Sequence, residues 1–230
     1  MRIKWIFFAL AILTIVAILS GKYGYVQRQT NTLPKADAVL IDAGHGGMDG
    51  GASAADGTLE KDINLAIALD LKDILVLFGL PVDMVRETDV ALFDDGCSTV
   101  REKKVSDMIN RLARYNNAKM TVSIHQNHFS VSKYSGAQVF YSPGHPMNHQ
   151  LAMAIREKIV TLMQPNNTRE LKQVTDSVFL LHKTSKPAVL VECGFLSNPQ
   201  ENEALKNAVY QQQMAVTIAA GVLDVYSVEE

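Results

Sequence analysis

Two histidines and two carboxylates stand where an α/β sheet collects its ligand site. The stretch Asp42-Ala43-Gly44-His45-Gly46-Gly47 follows one short apolar run, His125 follows a second, and Glu192 closes a third. Ligands of open α/β sheets bind beyond the carboxyl ends of the strands, so these side chains converge on one edge. Glu60 begins a long helical pattern and can turn its carboxylate back toward that edge. A hydrolytic zinc site takes three ligands from His, Asp and Glu and keeps a fourth position for water. His45, Glu60 and His125 supply that set, for one zinc per chain. Zinc lowers the pKa of its water to about 7 and polarises a carbonyl. A carboxylate beside the metal can then carry the proton to a leaving nitrogen, and Glu192 is placed for that catalytic role. The glycines around His45 permit tight turns and close backbone approach, which suits a metal-binding loop better than a packed strand.

Each residue also has an ordinary reading. A histidine after a strand is commonly a surface or hydrogen-bonded residue, and a glutamate in a first helical turn is favoured by the helix dipole alone. Glu192, behind Val189-Leu190-Val191, is harder to dismiss, because an unpaired carboxylate in apolar surroundings is costly. Spacing alone leaves both readings open, since no compact signature such as HExxH is present.

The elements that must position these residues follow from the pattern of the chain. Short apolar runs alternate with helical periodicity, the signature of an α/β domain. Strands are predicted over 38–41, 82–86, 120–124, 137–141, 177–181 and 188–192, and helices over 59–78, 100–116, 149–163 and 199–225. Most strands read as unbroken Val/Ile/Leu, as expected when helices cover both faces of a mostly parallel mixed sheet. With 230 residues, 47% of them hydrophobic and 20% charged, the chain accommodates one domain and an appendage and is neither disordered nor a disulfide miniprotein. A net charge of −2, spread along the chain, leaves no basic footprint for nucleic acid. Cys97 and Cys193 make no disulfide framework, and Cys193, inside an apolar run, reads as a buried thiol.

The appendage is N-terminal. Arg2 and Lys4 precede an apolar stretch over 5–19, a length between a signal peptide and the roughly 20 residues that span a bilayer. No clear cleavage site follows, so residues 1–22 are expected to form a transmembrane signal anchor, with 23–35 a linker and 36–228 the catalytic domain. The domain would then lie outside the cytoplasm, tethered to the membrane; cleavage and secretion is the alternative.

The stretches IDAGHGGMDGGA (41–52), LEKDINL (59–65), SIHQN (123–127), SGAQVFY (135–141) and VLVECGFLSNP (189–199) resemble, in order, the zinc-dependent N-acetylmuramoyl-L-alanine amidases of the amidase 3 family. The resemblance covers about 38–225. It implies zinc at His45, Glu60 and His125, Glu192 as the catalytic carboxylate, and peptidoglycan as substrate. The bond cut would join the lactyl group of N-acetylmuramic acid to L-alanine. It also points to Asn127 as substrate-binding, with capping of the turn after the strand as the alternative. The N-terminal anchor, the SGAQ stretch and the lack of wall-binding repeats are similar to a spore-cortex subgroup whose members help make muramic δ-lactam. A vegetative autolysin is the alternative role, and the need for an activating partner protein stays open.

Gln126, His128-Phe129 and Cys193 depart from the family pattern without removing a ligand. His128 is the further histidine that could join the site, whereas His145, His149 and His182 read as surface or structural. Arg86 could meet a carboxylate of the peptide stem but is better placed to brace the fold. Two other classes compete with the amidase: a peptidoglycan-binding protein without catalysis, and a zinc exopeptidase acting between amino acids.

Overall fold

The computed structural model describes residues 34–226, so the expected membrane anchor and the linker up to residue 33 lie outside the described residues. Among the described residues no helix is long and apolar enough to cross a membrane. Six strands, β1 (Val39–Ala43), β2 (Val82–Met84), β3 (Met120–Asn127), β4 (Gln138–Tyr141), β5 (Lys172–Gln173) and β6 (Ala188–Phe195), form one sheet in the order β2-β1-β3-β6-β4-β5. Every pairing is parallel except that of β4 with β6. The mostly parallel mixed sheet of the sequence reading is therefore present.

Alternation along the strands explains the two layers. Val39, Ile41 and Ala43 of β1, with Val122 and Ile124 of β3, face a large core filled by α1 (Glu60–Leu77), α3 (Met147–Lys158) and α6 (Ala208–Tyr226). Leu40 faces the other way, into a smaller core with Tyr115 of α2 (Val100–Asn117) and Leu180 and Leu181 of α4 (Phe179–Lys183). Strands covered on both faces carry apolar residues on both, as β1 does at Val39, Leu40 and Ile41, which is why period-2 alternation is faint there. Thr99 and Glu102 start α2 with a reciprocal capping box.

Three expectations need correction. The apolar run at 177–181 forms α4 instead of a strand, and the edge strand is the short Lys172–Gln173. A run of four or five apolar residues has no period that separates strand from buried helix. The helix expected over 199–225 is two, α5 (Pro199–Leu205) and α6, because the Asn207 side chain accepts the amides of Val209 and Tyr210 and starts a new helix. Strands β3 and β6 also run three residues past their expected ends, so His125 and Asn127 lie within β3 and Glu192 lies inside β6 instead of closing it.

Helices α3 and α6 meet at Gly221, where an added Cβ would fall 2.6 Å from Ile155 Cα and 2.7 Å from Ile155 N. Backbone cannot yield as a flexible side chain can, so Gly221→Ala should lower stability by about 1–3 kcal/mol despite alanine's better helix propensity. Denaturant unfolding measures this; an unchanged midpoint would show that the helices separate at little cost.

Candidate active site

The carboxyl ends of β1, β3 and β6 bring the predicted residues together. His45, Glu60 and His125 form the one group of three or more potential metal ligands found among the described residues, their ligand atoms lying within 4.8 Å of one another. The His45 and His125 rings are 5.0 Å apart, edge to face. His45 Nε2 lies 3.2 Å from Glu60 Oε2, and His125 Nδ1 lies 2.8 Å from Glu60 Oε1. Glu192 is the register partner of His125 on the neighbouring parallel strand, which puts both side chains on one face of the sheet. The register between β3 and β6 then shifts before Asn127 pairs with Phe195, and such irregularities beside a site re-aim side chains.

The backbone is shaped around these groups. His45 adopts φ 62°, a left-handed conformation that a non-glycine residue holds only when its surroundings impose it. A Cβ on Gly44 would lie 2.3 Å from the His125 ring, and one on Gly51 would lie 2.5 Å from Glu60 Oε2 and 2.6 Å from His45 Cδ2. The room for the ligand set thus depends on two absent side chains. Gly44→Ala should push the His125 ring aside and weaken metal binding by about 10- to 100-fold, the cost typical of misplacing a ligand through its supports. Titration with a competing chelator reads that change, and wild-type affinity would contradict the packing.

Supporting bonds fix each ligand. Asp49 Oδ2 lies 2.9 Å from His45 Nδ1, which turns Nε2 toward Glu60. Asp49 in turn accepts from Lys104 Nζ at 3.1 Å. Glu60 Oε2 accepts from Ala52 N at 2.8 Å and Oε1 from Gln126 N at 3.1 Å, and Asn64, one turn along α1, donates to both Oε1 and Gly44 O. Arg86 is fully buried and donates to the carbonyls of Ala43, Gly44, Lys61 and Thr88, bracing the His45 loop against α1 as the sequence reading preferred. Arg111 grips the same loop from α2 through Asp42 Oδ1 and His45 O, while Tyr115 donates to Asp42 Oδ2 at 2.6 Å.

The electrostatics follow from this packing. Burial alone would lower the His45 pKa, but its bonds to Glu60 and Asp49 outweigh burial and raise it to about 9. Burial would raise Glu60, yet its contacts with His125 and His45 hold the carboxyl well below the usual carboxylate range. Glu192 goes the other way: burial, opposed by His125 and reinforced by Glu60, lifts it from 4.5 to about 7. Its Oε2 is buried without a hydrogen-bond partner. An N, O, N donor set with space held open by glycine, beside a carboxylate that protein groups leave unsatisfied, fits a divalent metal with a proton carrier next to it.

The raised Glu192 pKa has a sign that can be tested. The folded state holds this proton more tightly than the unfolded chain, so the group lowers stability as pH rises from 4.5 to about 7 and keeps it lowered above that. In chelator-treated protein, Glu192→Gln should be more stable than wild type by about 1–3 kcal/mol at pH 8, and the gap should close toward pH 5. Equal unfolding midpoints at pH 8 would contradict a costly ionised Glu192.

The remaining candidates lie outside the metal-ligand group. Asn127 is half-buried in β3, and its backbone oxygen accepts from Leu196 N at 2.8 Å. Among the described residues its side chain makes no hydrogen bond. His128 is exposed and outside the ligand group. His145 Nδ1 accepts from Met147 N at the start of α3, and His149 packs edge-on to Tyr141. Both cysteines are free, with Cys193 buried in the larger core. Sequence reasoning missed Asp49, Asn64 and Arg111. Asp49 was readable, four residues after His45 in the same glycine-rich loop, and Asn64 was readable one helical turn from Glu60; Arg111 carried no local signal. A cavity of about 250 Å³ opens beside His45 and His125, walled by Met108 of α2 and by Val178, Phe179 and Leu181.

Comparison with known proteins identifies the family of this fold. Residues 39–224 match the family described as N-acetylmuramoyl-L-alanine amidase. A germination-specific N-acetylmuramoyl-L-alanine amidase of Bacillus subtilis is 33% identical over 96% of this chain and 94% of its own length. Among solved structures, the CwlD amidase from Clostridioides difficile in complex with the GerS lipoprotein is 39% identical, with a TM-score of 0.80 over 84% of this chain and all of that chain. An N-acetylmuramoyl-L-alanine amidase from Clostridium difficile 630 is 28% identical, with a TM-score of 0.71 over 87% of this chain and 100% of that one.

Proposed function

The chain belongs to the N-acetylmuramoyl-L-alanine amidase family and is such an amidase; from that premise we propose that it acts on spore-cortex peptidoglycan, with zinc held by His45, Glu60 and His125 and Glu192 moving the proton. The bond hydrolysed joins the lactyl group of N-acetylmuramic acid to the L-alanine of the stem peptide. The observation that carries the reading is the ligand cluster with Glu192 registered beside it.

Bound at this site, zinc supplies a Lewis acid for the scissile carbonyl and for the attacking water. The chain's residues do the rest. His45, Glu60 and His125 fix the position, and Asp49 holds His45 in the tautomer that presents Nε2. Glu192 accepts a proton as water adds to the carbonyl carbon, then delivers it to the nitrogen as the carbon–nitrogen bond breaks. A carboxyl raised toward neutrality by burial suits both directions of that transfer. Asn127, two residues before the exposed Phe129, offers its side-chain amide to the substrate.

The cortex role rests on similarity to the germination-specific B. subtilis enzyme and to C. difficile CwlD. The GerS lipoprotein bound to CwlD supports an extracytoplasmic lipoprotein as partner for this chain. Export follows from Arg2 and Lys4 ahead of the apolar stretch over 5–19, which we propose stays as a membrane anchor. Expression in a spore former lacking its own cortex amidase tests the role: muropeptide analysis should show muramic δ-lactam restored. A cortex still devoid of δ-lactam, from cells that make active enzyme, would assign the chain to vegetative wall turnover.

A further inference from the structure

Arg169 is a cation held at the edge of the sheet, with no ion pair among the described residues. Its Nε donates to Ser135 O at 2.8 Å and its Nη1 to Gln138 Oε1 at 3.1 Å. The guanidinium lies 4.4 Å from the centre of the Phe195 ring and 6.0 Å from that of Tyr134. All of these partners are neutral. The nearby Glu201 carboxylate accepts from the amides of Phe195 and Gly136 and feels the charge of Arg169 without forming an ion pair with it. Arg169 is half-buried, and its Nη2 has no protein partner among the described residues. Arginine side chains so tightly held lose little entropy on binding, and a planar guanidinium matches a carboxylate.

The position is as informative as the bonding. Gln138, which holds Nη1, is the register partner of Glu192 across the β4–β6 pair, so the two side chains share one face of the sheet. Phe195, under the guanidinium, is the register partner of Asn127 on the other side of β6. Arg169 is therefore tied, through Gln138, to the sheet end that carries the catalytic groups. It lines a cavity of about 460 Å³ of mixed character, with Ser135, Asn167 and Glu201 beside Met163 and Tyr210, a size within the range of ligand pockets.

We propose that Arg169 is a specificity-determining residue that receives a carboxylate of the stem peptide, from the acidic residue that follows the L-alanine released at the scissile bond. This rests on the amidase reading and adds the feature of the stem that the enzyme reads. A free carboxylate pairs with the guanidinium, whereas a stem whose carboxylate is amidated offers only a neutral oxygen.

The test compares two muropeptide substrates, identical except that the stem carboxylate is free in one and amidated in the other, with zinc-loaded wild type, Arg169→Gln and Arg169→Lys. Wild type should prefer the free acid. Arg169→Gln should raise KM for it by roughly 10- to 100-fold, the range for losing a hydrogen bond to a charged group, leave kcat within about twofold, and barely change KM for the amide. Arg169→Lys should recover part of the preference, because it keeps the charge and loses the fork. Equal losses on both substrates, or a loss of zinc or of thermal stability that accounts for the effect, would assign Arg169 to the fold and overturn the proposal. No discrimination by wild type would overturn it as well. If wild type releases neither stem, the amidase reading fails instead, so the two failures are distinguishable.

Discussion

Glu192→Gln should lower turnover of peptidoglycan by about 10²- to 10⁴-fold, the contribution of a well-placed proton carrier, while zinc content and fold stay intact. Glutamine keeps the size of the side chain but cannot take a proton from water and return it to the leaving nitrogen. Glu192 Oε2 meets no protein donor, so the substitution breaks no hydrogen bond of that oxygen. Its neighbour His125 keeps its contact with Glu60, and the metal ligands are therefore undisturbed. The loss should appear in kcat with KM little changed, because Glu192 acts on the reacting atoms. Metal analysis beside steady-state rates decides the point: near-normal kcat would remove Glu192 from the chemistry, and loss of zinc would make it a ligand.

The second large effect belongs to Glu60. Both its oxygens are engaged, Oε1 with His125 and Gln126 N, and Oε2 with His45 and Ala52 N. Glu60→Ala removes a proposed ligand and the bridge that aligns the two histidines, leaving two formerly satisfied backbone amides in a buried place. Affinity for zinc should fall by more than about 100-fold, since losing an outer partner of a ligand already costs about 10- to 100-fold. Activity should fall to background and should not return at ordinary zinc concentrations. Purified variant retaining one zinc per chain would contradict the ligand assignment. The same measurement on Asp49→Ala should show the smaller loss of an outer support, because His45 then keeps its ring and loses only its orienting partner.

Much of the site was legible because parallel sheets place ligand groups at strand ends, a rule that turns scattered residues into one locus. His45, His125 and Glu192 followed from it directly, and Glu60 from its position at a helix start. The extent of β3 and β6 was not legible: residues such as Gln126 and Asn127 look like loop, and only pairing with a neighbouring strand keeps them extended. α4 was misread because Phe179-Leu180-Leu181 is apolar at every position, and which core covers it is decided by residues far away in sequence. The break between α5 and α6 was signalled by Asn207, whose side chain can start a helix, yet apolar periodicity runs through it. Arg111 was invisible for a different reason. On its own helix it is one more charged residue, and its contacts with Asp42 and the carbonyl of His45 exist only after the sheet and α2 have packed.

The most direct measurement is mass spectrometry of the products released from intact peptidoglycan by the zinc-loaded protein, with a chelated sample alongside. Stem peptides beginning with free L-alanine, together with glycan carrying unsubstituted lactyl groups, should appear with zinc and vanish with the chelator. L-Alanine still attached to muramic acid, or the same products at full yield after zinc removal, would contradict a zinc amidase built on His45, Glu60, His125 and Glu192.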